Sequence, residues 1–195
     1  MTTRIPAVSG DSKRLPADEE LMALPKDGYK RELLNGEIVV SPAGSEHGRK
    51  IMRFSFALMG YVYRDQLGEV FDGQTGYRMA GGDVLSPDVS FVSKERLAGL
   101  PQAPEGFFDG APDLAIEFLS RGDSKKRLTD KLRQYFANGT RLAWMMDSKS
   151  RTVAVHRSVT PQRILAAPEE LSGEELVPGF HIPVADIFAG LDLGG

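Results

Sequence analysis

Asp113-Leu-Ala-Ile-Glu117-Phe-Leu-Ser120, then a polar turn, then Lys131-Leu-Arg-Gln-Tyr135: two periodicities meet in this one segment. Leu114, Ile116 and Phe118 alternate with Asp113, Ala115 and Glu117, the period-two pattern of a half-buried strand. Glu117 falls on the less apolar face, near the strand's carboxyl end. From Ser124 the period lengthens. Leu128, Leu132, Tyr135 and Phe136 recur at helical spacing, with Lys125, Lys126, Arg127, Lys131 and Arg133 among them. A carboxylate on a strand is thus followed by a basic helix that can fold back over it.

Upstream, Asn35-Gly36 separates two apolar runs, and both residue types accept the positive φ of a tight hairpin turn. Glu32 lies just before that turn. Ser45 to Gln66 reads as a long helix with Ser45 as N-cap and Ile51, Phe54, Leu58, Met59 and Val62 as its apolar stripe. Asp18 to Leu24 reads as a short helix with Leu21, Met22 and Leu24 inward. Glu69 to Met79 reads as a strand, Pro87 to Ser93 as a compact strand, and 101–112 as a loop inside the domain. Downstream, Asn138-Gly139 stops the basic helix. Arg141 to Asp147 and Arg151 to Arg157 form a second hairpin, and Ile164 to Ala166 an edge strand. The tail from Ser172 to Phe188 reads as irregular, anchored at Val177, Phe180, Ile182 and Ile187. This order implies an α/β chain of α+β type, a mixed sheet with helices packed on it. Residues 1–16 are expected to be a mobile leader and 17–190 a single domain.

The 195 residues are 41% hydrophobic, enough for a sizeable core, and 26% charged, near the average for globular chains. A net charge of −3 argues against a protein basic throughout, but not against a local basic groove. The absence of cysteine removes disulfides and thiolate metal sites. No apolar run approaches the roughly 20 residues of a membrane span, so the expectation is a cytoplasmic protein without a membrane partner.

Two Pro-Asp pairs precede Glu117. Asp113 begins the same strand, and four residues along a strand is about 13 Å, too far for one ion to touch both. Asp88 starts a different strand, so pairing can bring it beside Glu117. Carboxylates about 4 Å apart repel by roughly 4 kcal/mol at an effective dielectric near 20, and a divalent cation reverses that sign. Oxygen ligands, no thiol and only 3 histidines point to magnesium or manganese rather than zinc. An ammonium at Lys131 would orient water or balance a phosphate. His47 is ordinarily a cap or surface residue at such a position, with a site role as the alternative. The basic run Arg121, Lys125, Lys126, Arg127 and Arg133 contacts phosphate only if it lines the same cleft as Glu117. Tyr135 and Trp144 read as core, Asp113 and Asp123 as caps or turns, and His156 as strand surface.

The succession Glu32-Leu-Leu-Asn-Gly-Glu-Ile-Val, Ser41-Pro42 with His47 soon after, Pro87-Asp88-Val-Ser-Phe-Val, Ile116-Glu117-Phe-Leu-Ser, Lys131-x-x-x-Tyr135, Trp144-x-x-Asp147 and Arg151-Thr-Val resembles the Uma-type restriction endonucleases of the PD-(D/E)XK superfamily. The resemblance runs from about Leu21 to Phe188. It implies a restriction-endonuclease-like core with a central mixed sheet flanked by helices, and a magnesium or manganese site. Asp88 and Glu117 would be the metal ligands, Glu32 an accessory acid and Lys131 the catalytic lysine, with Lys125 and Lys126 as fallbacks and His47 as an accessory. The superfamily's usual lysine position, two residues after the second acid, is Leu119 here. Ser86 stands where family members often have Gln, and Arg121 where they often have Pro. The function expected is a metal-dependent endonuclease acting on DNA, as a homodimer. The alternatives are a degenerate nuclease fold that binds nucleic acid or protein without cutting, and a domain kept for oligomerisation or as a mobile-element remnant.

Overall fold

The computed structural model describes residues 3–5, 21–25, 29–41, 44–100, 106–120 and 122–190. Strands β2 (Lys30–Leu34) and β3 (Glu37–Ser41) form the expected hairpin. Its turn residues Asn35 and Gly36 have φ of 54° and 75°, the left-handed conformation that these two residue types tolerate best. Strand β1 (Thr3–Ile5) pairs antiparallel with β3, so three residues of the expected leader belong to a sheet. The rest of that leader lies outside the described residues, as do residues 18–20 of the expected first helix. Of that helix Leu21 and Met22 are helical. Leu21 and Leu24 pack against Leu33, Ile38 and Val84, but Met22 is 61% exposed rather than inward.

Glu69 to Met79 is not one strand. It divides into β4 (Gly68–Asp72) and β5 (Tyr77–Arg78), which join different sheets. The break follows from Asp72, whose Oδ1 accepts from the Gln74 N–H at 3.1 Å and the Thr75 hydroxyl at 3.3 Å, an Asx-type turn. With β6 (Val84–Leu85) and β8 (Phe108–Asp109), the first sheet runs β1-β3-β2-β6-β5-β8. β8 falls inside what the sequence suggested was only loop.

The second sheet carries the centre of the fold. Its order is β12 (Pro161–Leu165), β11 (Thr152–His156), β10 (Leu142–Asp147), β9 (Leu114–Leu119), β7 (Val89–Ser93) and β4. β9 and β10 are parallel and the other neighbours antiparallel, so the sheet is mixed. A parallel pair needs a long crossover connection, for which a helix is the common solution. Among the described helices, α1 is Ser45–Arg64, α2 is Lys94–Ala98, α3 is Lys125–Ala137 and α4 is Val184–Ile187. α3 makes the β9-to-β10 crossover. Ser124 caps it by accepting from the Arg127 N–H, and Asn138 with Gly139 (φ 109°) ends it.

β9 is buried on both faces, not half-buried. Leu114, Ile116 and Phe118 pack with Phe54, Leu58 and Val62 of α1, while Ala115 faces Leu132 and Tyr135 of α3. Each of those large apolar side chains gains roughly 1.5–3 kcal/mol from full burial. The N-cap of α1 is Gly44, whose backbone is extended, and Ser45 is already helical. Met59 is 36% exposed because the inward stripe runs 54, 58, 62, and Met59 joins Met52, Phe56 and Tyr63 on the outer side.

The tail is more ordered than expected. β13 (Glu170–Ser172) and β14 (His181–Pro183) form a hairpin that leads into α4, with Leu171, Val177, Phe180 and Ile187 in the same core as α1. His156 is buried rather than on the strand surface. The β11–β12 ladder is irregular between Val155 and His156, with Gln162 of β12 as the extra residue, while His156 keeps its regular pairing with Ala143 of β10. None of the described helices is long and apolar enough to cross a membrane.

Candidate active site

Glu32 on β2, Asp88 just ahead of β7, Glu117 on β9 and Lys131 on α3 meet in one cleft of about 240 Å³, whose lining also includes Lys30 and His47. Each has a local reason for its position. Glu32 shares a face of β2 with Lys30 and Leu34, by strand alternation. Glu117 follows Ala115 on the α3 side of β9. The β7–β9 register ends at Val89↔Ile116, so one residue further on Asp88 lies alongside Glu117. There Asp88 Oδ2 accepts from the Phe118 N–H at 2.9 Å. Lys131 and Tyr135, one helical turn apart, point from α3 onto Glu117.

The contacts are close and polar. Lys131 Nζ lies 2.6 Å from Glu117 Oε1 and 2.9 Å from Glu32 Oε1. The Tyr135 hydroxyl donates to Glu117 Oε1 at 2.6 Å, and the Ser86 N–H to Glu32 Oε1 at 2.8 Å. Lys30 Nζ lies 2.7 Å from Asp88 Oδ1, and His47 Nε2 3.5 Å from Asp88 Oδ2. Glu32, Glu117 and Lys131 are each at most 6% exposed, and Asp88 is 7% exposed.

Burial is the largest single influence on each of these groups, and it opposes charge. At Asp88 the Lys30 ammonium and the His47 hydrogen bond outweigh it and hold the carboxyl well below the ordinary range. At Glu32 Lys131, Lys30 and the Ser86 N–H likewise lower the carboxyl. At Glu117 burial prevails over Lys131 and Lys30, with Asp88 and Glu32 adding repulsion, so its carboxyl is raised. Lys131 is raised because Glu117 and Glu32 outweigh its burial. Lys30 is raised against burial by Asp88, Glu32 and Glu117. Burial, then Glu117 and Glu32, pushes the Tyr135 phenol well up, so it stays a proton donor.

The structure thus brings Glu32, Asp88, Glu117, Lys131 and His47 together. It leaves Lys125 and Lys126 out: Lys125 is exposed, and Lys126 pairs with Asp130 on the solvent face. From the basic run, Arg127 lines the cleft and pairs with Asp123, Arg133 pairs with Asp130, and Arg121 lies outside the described residues. Asp113 is absent from the cleft lining; its carboxylate accepts from the Ser93 N–H at 2.8 Å. Sequence reasoning missed Lys30, although its place two residues from Glu32 on one strand was a usable signal. It also took Tyr135 only as packing, whereas its ring is core and its hydroxyl binds Glu117.

A mixed sheet with a helical crossover closing over a carboxylate–lysine cluster defines a nuclease-fold protein of α+β type. The chain matches the crystal structure of "a putative nuclease belonging to DUF820 from Anabaena variabilis ATCC 29413" with a TM-score of 0.76 and 23% identity, over 90% of this chain and 98% of that one. The chain belongs to the Uma2 family, described as "Putative restriction endonuclease", whose model matches residues 18–185. No curated protein matches it.

Proposed function

We propose that the chain is a divalent-metal-dependent endonuclease that hydrolyses phosphodiester bonds in DNA. The observation that carries this reading is the buried ammonium of Lys131 between Glu32 and Glu117, in a cleft that Asp88 also enters. The family and the neighbouring fold support a nuclease.

The side chains suit a hard cation in kind and in charge. Three carboxylates face two ammonium groups, and all the candidate ligands are oxygen. Asp88 and Glu117 would hold magnesium or manganese, which lowers the pKa of bound water and offsets charge on a phosphoryl oxygen. The protein's own groups do the positioning. Glu32 and Glu117 hold the Lys131 ammonium at a fixed point, where it can orient an attacking water or pair with a phosphate oxygen. Tyr135 restrains Glu117. The raised Glu117 carboxyl makes it the acid of the three most able to take up a proton. Arg127, at the rim, is the cation placed to meet a neighbouring phosphate.

A homodimer belongs to the same reading. Met52, Phe56 and Tyr63 stand exposed along the outer face of α1, and a second copy would cover them. Sedimentation of wild type and Phe56→Glu tests that point. The observation that favours a binding module without cleavage is Lys30 on Asp88, together with Leu119 at the usual lysine position. Plasmid nicking in magnesium against EDTA separates the two. Nicking by wild type that is lost in Asp88→Ala and Glu117→Ala supports the enzyme; equal behaviour of all three sinks it.

A further inference from the structure

Lys30 is the site residue without an assigned role. Its ammonium touches Asp88 Oδ1 at 2.7 Å, while the Phe118 N–H and His47 Nε2 approach Oδ2. Both oxygens of the proposed ligand are therefore engaged by the protein itself. Among the described residues, no group of three or more His, Cys, Asp or Glu side chains stands at metal-binding spacing. The ligands are present, but a protein cation holds one of them.

The two lysines are differently placed. Lys131 lies within α3, 6% exposed at its side chain and between two carboxylates. Lys30 is the first residue of β2, its side chain is 14% exposed, and among the described residues the ion pair it makes is with Asp88. A lysine is a compact charge on a flexible four-carbon stem, so at the edge of a cleft it can leave one carboxylate without moving the backbone.

We propose that Lys30 is an exchangeable counter-cation: it holds Asp88 when no divalent ion is bound, and withdraws when one binds. This rests on the metal-dependent reading of the site and adds a competitor to it. The contact offsets the cost of burying the Asp88 charge in the interval before metal arrives. It also sets the metal concentration at which the site fills, because every ion must displace an ammonium.

The test is manganese binding to the full chain, followed by calorimetry and electron paramagnetic resonance, in wild type, Lys30→Met, Lys30→Gln and Glu117→Gln. Lys30→Met keeps the stem and removes the charge, and Lys30→Gln covers the case in which the methionine variant does not fold. Tighter manganese binding by about tenfold in the Lys30 variants, equivalent to about 1.4 kcal/mol, is the expected result. A larger manganese-induced rise in Tm than in wild type accompanies it. The half-saturating manganese for nicking falls by the same factor. If wild type binds manganese and both folded Lys30 variants bind it no better, the exchange idea is wrong while the nuclease reading stands. If the Lys30 variants bind and wild type does not, the ammonium is a fixed block that metal cannot displace, and the exchange is overturned. Binding by none of the four folded proteins overturns the metal-dependent reading and the exchange with it.

Discussion

Replacing Lys131 by Met keeps the length of the side chain and removes the ammonium that bridges Glu117 at 2.6 Å and Glu32 at 2.9 Å. Breaking a buried pair by removing one partner costs about 3–5 kcal/mol, because the other charge stays buried. Here two carboxylates lose a partner, but each retains one donor: Ser86 N–H for Glu32 and the Tyr135 hydroxyl for Glu117. A loss of about 3 kcal/mol at pH 8 is therefore expected, or roughly 6–12 °C in Tm for a chain of this size. The pH dependence has a definite sign. Without Lys131 the burial that already raises Glu117 acts with less opposition, so its folded-state pKa lies further above the unfolded one. Stability from such groups is present below the unfolded value and is lost as pH rises through the folded one. The deficit of Lys131→Met should shrink by about 1 kcal/mol or more between pH 8 and pH 5.5. Urea unfolding in EDTA, followed by the fluorescence of the buried Trp144, measures both quantities. A deficit under about 1 kcal/mol at pH 8, or one that widens as pH falls, would refute the buried-bridge argument.

Tyr135→Phe removes one hydrogen bond to a buried carboxylate and little volume, so it should cost about 1.5–3 kcal/mol in urea unfolding, with the far-ultraviolet spectrum unchanged. Asp88 and Glu32 are held below their ordinary values, so their stabilisation is complete above about pH 4–5 and is lost as pH falls through the lowered folded values. The neutral double variant Lys30→Met/Asp88→Asn should therefore lose less stability on acid titration than wild type. A Cβ at Gly60, inside α1, would meet nothing within 4 Å, so Gly60→Ala should stabilise by about 0.5–1 kcal/mol. At Gly68, with φ of 153°, a Cβ would lie 2.2 Å from the Val92 carbonyl oxygen, so Gly68→Ala should destabilise by more than about 1 kcal/mol and loosen the edge strand β4.

Local residue patterns made some of this legible in advance and left other parts hidden. Asn35-Gly36 announces its turn because the conformation is demanded by those two residues alone. The change of period at Ser124 marks α3 because a cap and a helical stripe are local facts. Asp88 beside Glu117 was reachable because Asp113 fails on distance along its own strand. β5, β6 and β8 were not, since two-residue strands have no period to read. The division of β4 from β5 depends on an Asx turn at Asp72, hidden within a run that otherwise looks like strand. His156 was misplaced because alternation along β11 assigns it a face but does not tell whether that face is covered. The β13–β14 hairpin depends on contacts with α1, far away in the chain. Lys30 is a different case: the alternation that placed Glu32 placed it too, but a basic residue before an acidic one reads as ordinary surface.

The cap at Ser124 sets which parts of the segment from Glu117 to Lys131 can change length. Lys131 lies seven residues beyond it, about two helical turns, and Tyr135 four further. One residue inserted inside α3 ahead of Lys131 would rotate both side chains by about 100° about the helix axis and carry them off Glu117. The same insertion between Leu119 and Ser124 would leave the phase of the helix untouched. The count from acid to lysine can therefore change without moving Lys131 off Glu117, while the count from cap to lysine cannot. A search for related sites should anchor on the helix start rather than on the carboxylate.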